Sequence, residues 1–269
     1  MFPSHAVFRF DLSKRKERAV KEKAPLPADA GKSRESQKTT APAPETRMQE
    51  INHGVCLREA AGSLRFGTDA LLLSEFVRPA PRKRALELGC GSGAVSLLLA
   101  LRGAFREVVA VEIQPELAAL ARENVRLNRK EQTVRMREGD LRLFSPAELG
   151  GEFDAVLANP PYMRVGSGFA SPSPARQRAR HECDGGIAEF SLAAARCLRY
   201  GGRFYTVYRP DRMESFFAAL RAAGLSPKRM VFAHDRPGSA AFVFLCESRK
   251  GGAEGLTLLP PLYLNGAPT

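Results

Sequence analysis

The sequence predicts a doubly wound α/β fold, in which a mostly parallel seven-stranded sheet with an antiparallel edge strand carries helices on both faces. Three observations support this prediction. Short apolar runs alternate with helical segments from about residue 48 onwards. A glycine-rich turn at 89–93 separates the first run from the first helical segment. The last two runs are joined by a proline–glycine turn, which is typical of an antiparallel strand pair.

The elements follow from apolar spacing and from proline and glycine at their boundaries. The helix predicted at 115–127 has proline at its first position, and the helix predicted at 211–223 ends before a glycine. Two further helices are predicted at 94–101 and 187–198. The seven strands are predicted at 84–88, 108–112, 133–137, 153–158, 203–207, 228–233 and 240–246.

Composition restricts the class of protein. The hydrophobic fraction of 44% is ordinary for a globular chain. The five cysteines are scattered and form no C-x-x-C pair, which argues against a disulfide framework and a zinc site. The longest apolar stretch, 95–101, is too short to cross a membrane, and the amino terminus lacks a secretory pattern. We therefore expect a cytoplasmic protein without a bound metal.

The chain is basic, with 41 Lys and Arg against 29 Asp and Glu and a net charge of +12. Such an excess favours a polyanion such as nucleic acid as a partner, although it can also serve solubility alone. Residues 1–47 are rich in Lys, Glu, Ser, Pro and Ala and are predicted to form a disordered basic extension. Residues 48–269 are predicted to form one domain.

The glycine turn after the first strand predicts a ligand site. Gly89, Gly91 and Gly93 let the backbone turn sharply and let a ligand approach the main chain. Their G-x-G-x-G spacing differs from the G-x-G-x-x-G of dinucleotide binders, which place a pyrophosphate at a helix N-terminus. Glu87, just before the turn, suits instead a cationic sulfonium that carries an amino-acid tail.

Two further acidic residues follow the next strands. Glu112 ends the second strand, where a carboxylate can accept both hydroxyls of a ribose. Asp140 follows the third strand and can accept a hydrogen bond from an adenine amine. Either residue alone is more typical of a solvated loop. Because parallel strands end at one edge of a sheet, we expect these acids and the glycine turn to line one cofactor crevice.

The segment Asn159-Pro160-Pro161-Tyr162 follows the fourth strand. Its prolines stiffen the loop and remove backbone donors. If the Asn159 side-chain oxygen and the Pro160 carbonyl each accept one N–H of a planar amine, the nitrogen lone pair can face a methyl donor, and Tyr162 can stack on the acceptor. Adenine N6, cytosine N4 and a glutamine amide all fit this loop. The alternative is a proline turn that merely leaves the strand.

Two flanking blocks extend the pattern. An F-G-T-D-A-x-L-L block at 66–73 contains Thr68 and Asp69, which we expect to help bind the cofactor. Asp69 alternatively caps the following helix. Beyond the proline loop lies a stretch of arginines that we expect to contact RNA phosphates, with a solvated helix face as the alternative; these are Arg176, Arg178 and Arg180.

These blocks together resemble one family. The F-G-T-D-A-x-L-L block, the E-L-G-C-G-S-G turn, N-P-P-Y and an A-R-H-E block occur in the order found in bacterial tRNA adenine-N6 methyltransferases that modify the adenosine beside the anticodon of a valine tRNA. These enzymes belong to the Rossmann-like class I methyltransferases. The resemblance spans about residues 50–265 and implies S-adenosyl-L-methionine as cofactor and tRNA as partner. It also implies a cofactor site at the glycine turn and its acids, bordered by Asn159, and an adenine site at Asn159, Pro160 and Tyr162.

Several alternatives remain. Release-factor glutamine methyltransferases share N-P-P-Y, but they carry an N-terminal helical domain that the polar residues 1–47 do not resemble. N6-adenine methylation of DNA or rRNA stays open. A catalytically silent RNA-binding module is disfavoured by the intact Asn159 and Glu112, and a nicotinamide oxidoreductase is disfavoured by the glycine spacing. The oligomeric state is open, with a monomer favoured.

Overall fold

The computed structural model describes residues 46–51, 54–60, 67–161 and 186–266. Within these residues the chain forms a two-stranded hairpin and a nine-stranded sheet with helices on both faces. No helix of this described part is long and apolar enough to cross a membrane. The elements in chain order are β1 (Thr46–Ile51), β2 (Val55–Ala60), α1 (Thr68–Phe76), β3 (Ala80–Leu88), α2 (Ala94–Leu101), β4 (Phe105–Glu112), α3 (Pro115–Leu127), β5 (Val134–Glu138), β6 (Phe153–Ala158), α4 (Ile187–Cys197), β7 (Leu198–Tyr208), a 3₁₀ turn (Pro210–Arg212), α5 (Met213–Ala222), β8 (Leu225–His234), β9 (Ala241–Lys250), β10 (Thr257–Leu258) and β11 (Leu262–Tyr263).

The main sheet has the strand order β5-β4-β3-β6-β7-β9-β8, and the short strands β10 and β11 pair with β8. β9 runs antiparallel to β7 and β8, whereas β3 to β7 pair in parallel. The doubly wound, mostly parallel class predicted from the sequence is confirmed. The antiparallel strand is β9, which lies between β7 and β8. The crossover through α5 leaves room for this strand, so β8 lies beyond it and runs parallel to β7.

Most of the predicted elements lie where the sequence indicates. Helices α2 and α3 and strand β6 span the predicted residues. Strand β7 begins at Leu198 rather than at 203, because Leu198 already pairs with Phe153 and an irregularity follows before the register resumes. The hairpin of β1 and β2 has no counterpart in the prediction, and β1 begins two residues before the expected start of the domain. Residues 1–45 lie outside the described residues, so the disordered extension stays a prediction.

Both faces are buried in most of β6 and in the carboxyl halves of β3 and β4, whereas β5 is largely exposed. In β6, Ala155 and Leu157 belong to the core that contains residues of α1 and α2, whereas Val156 and Ala158 belong to the core that contains residues of α4 and α5. This alternation follows from the two-residue period of a strand. Strands buried on both faces are apolar along most of their length. An acidic residue such as Glu87 inside one of them is therefore exceptional.

Arg84, in the middle of β3, joins this strand to its neighbours. Its guanidinium donates to Glu107 at 2.6 Å and to the carbonyl oxygens of Leu149 and Gly150 at 3.0 and 2.9 Å. It also lies 4.6 Å from the centroid of the Phe153 ring. These contacts join β3 to β4, to β6 and to the segment before β6.

Candidate active site

Four neighbouring parallel strands, β5, β4, β3 and β6, end at the same edge of the sheet, which we call the carboxyl edge. Leu88 at the end of β3 pairs with Val111 of β4 and with Ala158 of β6, and Glu112 pairs with Glu138 of β5. The segments that follow neighbouring strands therefore start about 5 Å apart. They carry the glycine turn, the predicted acidic residues and the Asn-Pro-Pro loop.

The glycine turn adopts the left-handed backbone conformation at three positions. The φ angles are +65° at Gly89, +56° at Gly91 and +82° at Gly93, a region that strains other residues. A Cβ on Gly89 would lie 3.2 Å from the Phe190 ring, and one on Gly93 would lie 3.3 Å from the Ala121 Cβ. A Cβ on Gly91 would meet nothing within 4 Å. The turn is therefore packed at Gly89 and Gly93, and at Gly91 it faces open space from which a ligand can approach.

Glu87 is a buried carboxylate beneath the turn, with 3% of its surface exposed. Its Oε2 accepts a hydrogen bond from the Ser96 backbone N–H at 2.9 Å and another from the Ser96 hydroxyl, both in the first turn of α2. Burial raises the pKa of Glu87 to about 7, the bonds from Ser96 oppose this rise, and the negative charge of Glu112 adds to it. Glu87 thus occupies the helix N-terminus that dinucleotide-binding folds offer to phosphate.

Glu112 lies beside the turn at the end of β4 and is 4% exposed. Its two oxygens accept hydrogen bonds from the backbone N–H groups of Gly91 at 2.8 Å and Gln114 at 3.0 Å. These bonds fix the carboxylate against the glycine turn. Each carboxylate oxygen has two lone pairs, so the group is also able to accept hydrogen bonds from the two hydroxyls of a ribose.

Cys90 lies within the turn and is not suited to act as a nucleophile. Burial is the main cause that raises the pKa of its thiol well above the ordinary value, and the negative charges of Glu87 and Glu112 raise it further. Since the thiolate is the reactive form, a thiol that stays protonated is chemically inert.

Asp140 follows β5 and is bound by Arg142. The Arg142 backbone N–H donates to Oδ1 at 2.8 Å, and the Arg142 guanidinium donates to both carboxylate oxygens. The side-chain bond from Arg142 is the main cause that lowers the pKa of Asp140. Asp140 is therefore a charged acceptor, and Arg142, which the sequence analysis did not single out, adds a guanidinium beside it.

Asn159 and Pro160 follow β6, next to the glycine turn. Because Ala158 pairs with Leu88, Asn159 and Gly89 are the next residues along two adjacent strands. Pro160 is buried, whereas Asn159 is partly exposed. The carboxyl edge thus brings the predicted amine-binding residues within one strand spacing of the predicted cofactor turn.

The structure says less about the roles of the other predicted site residues. Thr68 and Asp69 begin α1, whose N-cap is Gly67 and has no side-chain cap hydrogen bond. Asp69 is not the cap residue. It lies in the first helical turn, where its negative charge interacts favourably with the helix dipole. The cofactor roles of both residues stay predictions, as do those of the predicted residues outside the described ranges: Tyr162, Arg176, Arg178 and Arg180.

Phe190 and Ser96, which also support the site, are not among the residues predicted from the sequence. Phe190, on α4, packs against Gly89 through a contact that only the tertiary structure reveals. Ser96 had a local signal, because the first N–H groups of a helix need acceptors and Glu87 lies just before that helix. A serine near the start of α2 could therefore have been assigned to Glu87 from the sequence.

The chemistry of the carboxyl edge favours a ligand with positive charge and with hydroxyl or amine donors. Glu87, Glu112 and Asp140 are acceptors, and Gly91 leaves room for close approach to the main chain. A pyrophosphate is disfavoured, because Glu87 accepts from the first turn of α2 and places a carboxylate there. In the described ranges, no three His, Cys, Asp or Glu side chains group to hold a metal ion. A doubly wound sheet with this turn and these acids defines a class I methyltransferase.

Comparisons with known proteins give the family. The model of the methyltransferase small domain matches residues 60–221, and the chain belongs to this family. The tRNA1(Val) (adenine(37)-N6)-methyltransferase of Bacteroides fragilis (strain YCH46) is 29% identical over 177 residues, which cover 66% of this chain and 73% of that protein. The protein of the same name from Escherichia coli (strain SE11) is 30% identical over 159 residues, which cover 59% of this chain and 63% of that protein.

Solved structures agree with the fold. A crystal structure of a predicted O-methyltransferase from Agrobacterium tumefaciens has a TM-score of 0.58 at 25% identity and covers 73% of this chain and 88% of that one. The Methanocaldococcus jannaschii protein Trm5, crystallised with adenosine, has a TM-score of 0.55 at 13% identity and covers 80% of this chain and 59% of that one. The second likeness is one of fold alone.

Replacing Glu87 by glutamine should change how stability depends on pH. The carboxyl pKa is about 7 in the folded protein against an ordinary value of 4.5, so between these values the folded state binds more protons than the unfolded state. The free energy of unfolding that Glu87 contributes therefore falls as the pH rises through this range, by up to about 3 kcal/mol, and is flat above it. Urea unfolding should show that Glu87→Gln lacks this decline.

The matched control is Glu148→Gln. Glu148 is exposed, and hydrogen bonds from Ser145 lower its pKa, so its removal should leave the decline towards neutral pH in place. If wild type and Glu87→Gln differed by a constant free energy of unfolding between about pH 5 and 8, the raised pKa would be wrong.

Proposed function

We propose that this methyltransferase transfers a methyl group from S-adenosyl-L-methionine to N6 of an adenosine in tRNA, namely the adenosine beside the anticodon of a valine tRNA. The observation that carries the proposal is the position of Asn159 and Pro160, one strand away from the glycine turn. The relatives from Bacteroides fragilis and Escherichia coli, which are named for adenine-N6 methylation of tRNA1(Val), support this choice of substrate.

The residues of the carboxyl edge fit the parts of S-adenosyl-L-methionine, whose sulfonium supplies the electrophilic methyl group. Glu112 is suited to accept the ribose hydroxyls, and Asp140 is suited to accept from the adenine amine. Glu87 adds buried negative charge, which favours a cation over a phosphate. Thr68 and Asp69 extend the site from the first turn of α1.

Asn159 and Pro160 hold the acceptor amine. The Asn159 side-chain oxygen and the Pro160 carbonyl oxygen each accept one N–H of adenine N6, which directs the nitrogen lone pair at the methyl group. As positive charge develops on the nitrogen, these two fixed acceptors stabilise it. A strong base is unnecessary, because the proton can leave after the methyl transfer. Tyr162 stacks on the adenine ring and keeps it in the plane of the two acceptors.

RNA approaches from the β7 side of the carboxyl edge. Arg209 follows β7, and Arg236 lies in the turn between β8 and β9. Arg236 is exposed, and its guanidinium makes no hydrogen bond or ion pair within the described part of the chain. Three strand spacings separate Asn159 from this turn, about 14 Å, which suits phosphates that flank the target nucleotide. Three further arginines, which lie outside the described residues, are predicted from the sequence to contact RNA phosphates: Arg176, Arg178 and Arg180.

The experiment that tests the function is a methyl-transfer assay with S-adenosyl-L-methionine and unmodified bulk tRNA, followed by nucleoside mass spectrometry. N6-methyladenosine in the digest would support the reaction and the substrate class, and a purified valine tRNA would then give the position. Methylation of a release-factor glutamine, of DNA or of rRNA in place of tRNA would overturn the substrate and keep the methyltransferase.

Asn159→Ala should lower kcat by about 100-fold, because one preorganised acceptor of the reacting amine is lost. Single-turnover methylation of tRNA at saturating cofactor measures this effect. The control is Asn159→Asp, which keeps an acceptor oxygen at the same place and should retain more activity than the alanine variant. Turnover near the wild-type rate in Asn159→Ala would exclude the proposed role.

Arg236→Ala should weaken tRNA binding at every sequence tested and reduce the slope of log affinity against log salt by about 1, as expected for a lost phosphate contact. Filter binding at several salt concentrations measures the slope. Arg106→Ala is the matched control, since Arg106 is an exposed arginine at the amino end of β4, on the opposite edge of the sheet. Equal effects of the two substitutions would mean that tRNA binding depends on net charge and not on the position of an arginine at the carboxyl edge.

A further inference from the structure

Two asparagine side chains dock the hairpin of β1 and β2. Asn124 lies in α3, and Asn128 is the residue that follows α3. Asn124 accepts from the Arg58 backbone N–H at 2.7 Å and donates to the Arg58 carbonyl oxygen at 3.0 Å. Asn128, one helical turn later, makes the same two bonds to Cys56, at 3.0 and 2.7 Å. Each amide thus pairs with both backbone groups of one strand residue, as a neighbouring strand would do.

The spacing of the two elements explains the match. Four residues of an α-helix rise about 6.0 Å, and two residues of a strand rise about 6.7 Å. Amides four residues apart on α3 therefore meet backbone groups two residues apart on β2, with the helix and the strand running in opposite directions. β1 pairs along the other side of β2, so α3 covers the open edge of the hairpin. An ion pair between Arg58 and Glu123 at 2.7 Å adds to the docking.

Asn124 also bonds to the glycine turn. Its Nδ2 donates a second hydrogen bond, at 3.0 Å, to the carbonyl oxygen of Ser92. Asn124 is 0% exposed, so water does not replace this bond. One turn earlier on the same helix, Ala121 packs against Gly93. The helix α3 therefore supports the turn and the hairpin together, and the Asn124 amide contacts both.

We propose that Asn124 is a positioning residue that makes the hairpin part of the cofactor-binding apparatus. Both donors on its single nitrogen are used, so the Arg58 and Ser92 carbonyls are held by one rigid amide. Ordering of the turn by a bound cofactor then orders the hairpin, and loss of the amide weakens cofactor binding, since coupling between sites is reciprocal. The inference rests on the proposed function only in taking S-adenosyl-L-methionine as the ligand of the turn.

Hydrogen exchange of the unaltered protein gives the first test. S-adenosylhomocysteine at saturation should slow amide exchange in residues 54–60 by about tenfold, although the ligand lies at the turn and not at the hairpin. Calorimetry on the same sample measures ligand binding. Bound ligand with unchanged exchange of the hairpin would overturn the role of Asn124 alone, whereas absence of binding would overturn the proposed function.

Two shape-matched variants give the second test. Leucine keeps the branched form of asparagine but neither donates nor accepts. Asn124→Leu should raise the Kd of S-adenosylhomocysteine by about tenfold, the factor for one lost buried hydrogen bond, and should abolish the slowing of hairpin exchange on binding. Asn128→Leu should speed hairpin exchange in the free protein while changing that Kd by less than about twofold, because Asn128 does not contact the turn.

Equal changes of Kd in the two variants, or none in Asn124→Leu, would overturn the proposal, because a purely structural ladder would not distinguish the two asparagines. If Asn124→Leu fails to fold, the exchange measurement on the unaltered protein decides by itself.

Discussion

The site depends on the burial of two carboxylates at the ends of neighbouring strands. Glu87 and Glu112 lose their hydration, and an unsatisfied buried charge is very costly. The fold offsets this cost with neutral donors: the first turn of α2 donates to Glu87, and the N–H groups of Gly91 and Gln114 donate to Glu112. The N–H of Gly91 reaches Glu112 in a turn with positive φ, which glycine adopts without strain. The glycine turn, the start of α2 and the two acids therefore form one device, because Gly91 donates to Glu112 and Ser96 donates to Glu87.

This device also selects the charge of the ligand. The donors are backbone and hydroxyl groups, so they stabilise the carboxylates without cancelling their charge, and the pKa of Glu87 near 7 shows that burial still outweighs them. A cationic ligand lowers this remaining electrostatic cost, and an anionic ligand raises it. A dinucleotide-binding fold leaves the helix N-terminus to a pyrophosphate. In this chain Glu87 fills that place, which explains how a similar sheet is adapted to a sulfonium.

The sequence predicts well the elements that its local pattern determines. α2, α3 and β6 agree with prediction because apolar periods end there at proline, glycine or charged residues. β7 begins five residues earlier than predicted, because the strand continues through an irregularity after Leu198. The hairpin was not predicted, since its outer edge is closed by side chains about 70 residues away in the chain. The same holds for the site: the turn, its acids and Asn159 follow from strand ends, while Phe190 and Asn124 depend on how helices pack.

The supports of the turn also define the side from which its ligand enters. Phe190 lies against Gly89, Ala121 lies against Gly93, and Asn124 holds the Ser92 carbonyl. Each of these residues covers one side of the turn, whereas the space next to Gly91 is open. Because α3 and the hairpin lie on the β4 side, the proposed acceptor base is expected on the opposite side, where β6 ends. Asn159 and Pro160 stand at that end, one strand from the turn, so the packing that supports the turn is consistent with the proposed meeting of a planar amine and the methyl group at this place.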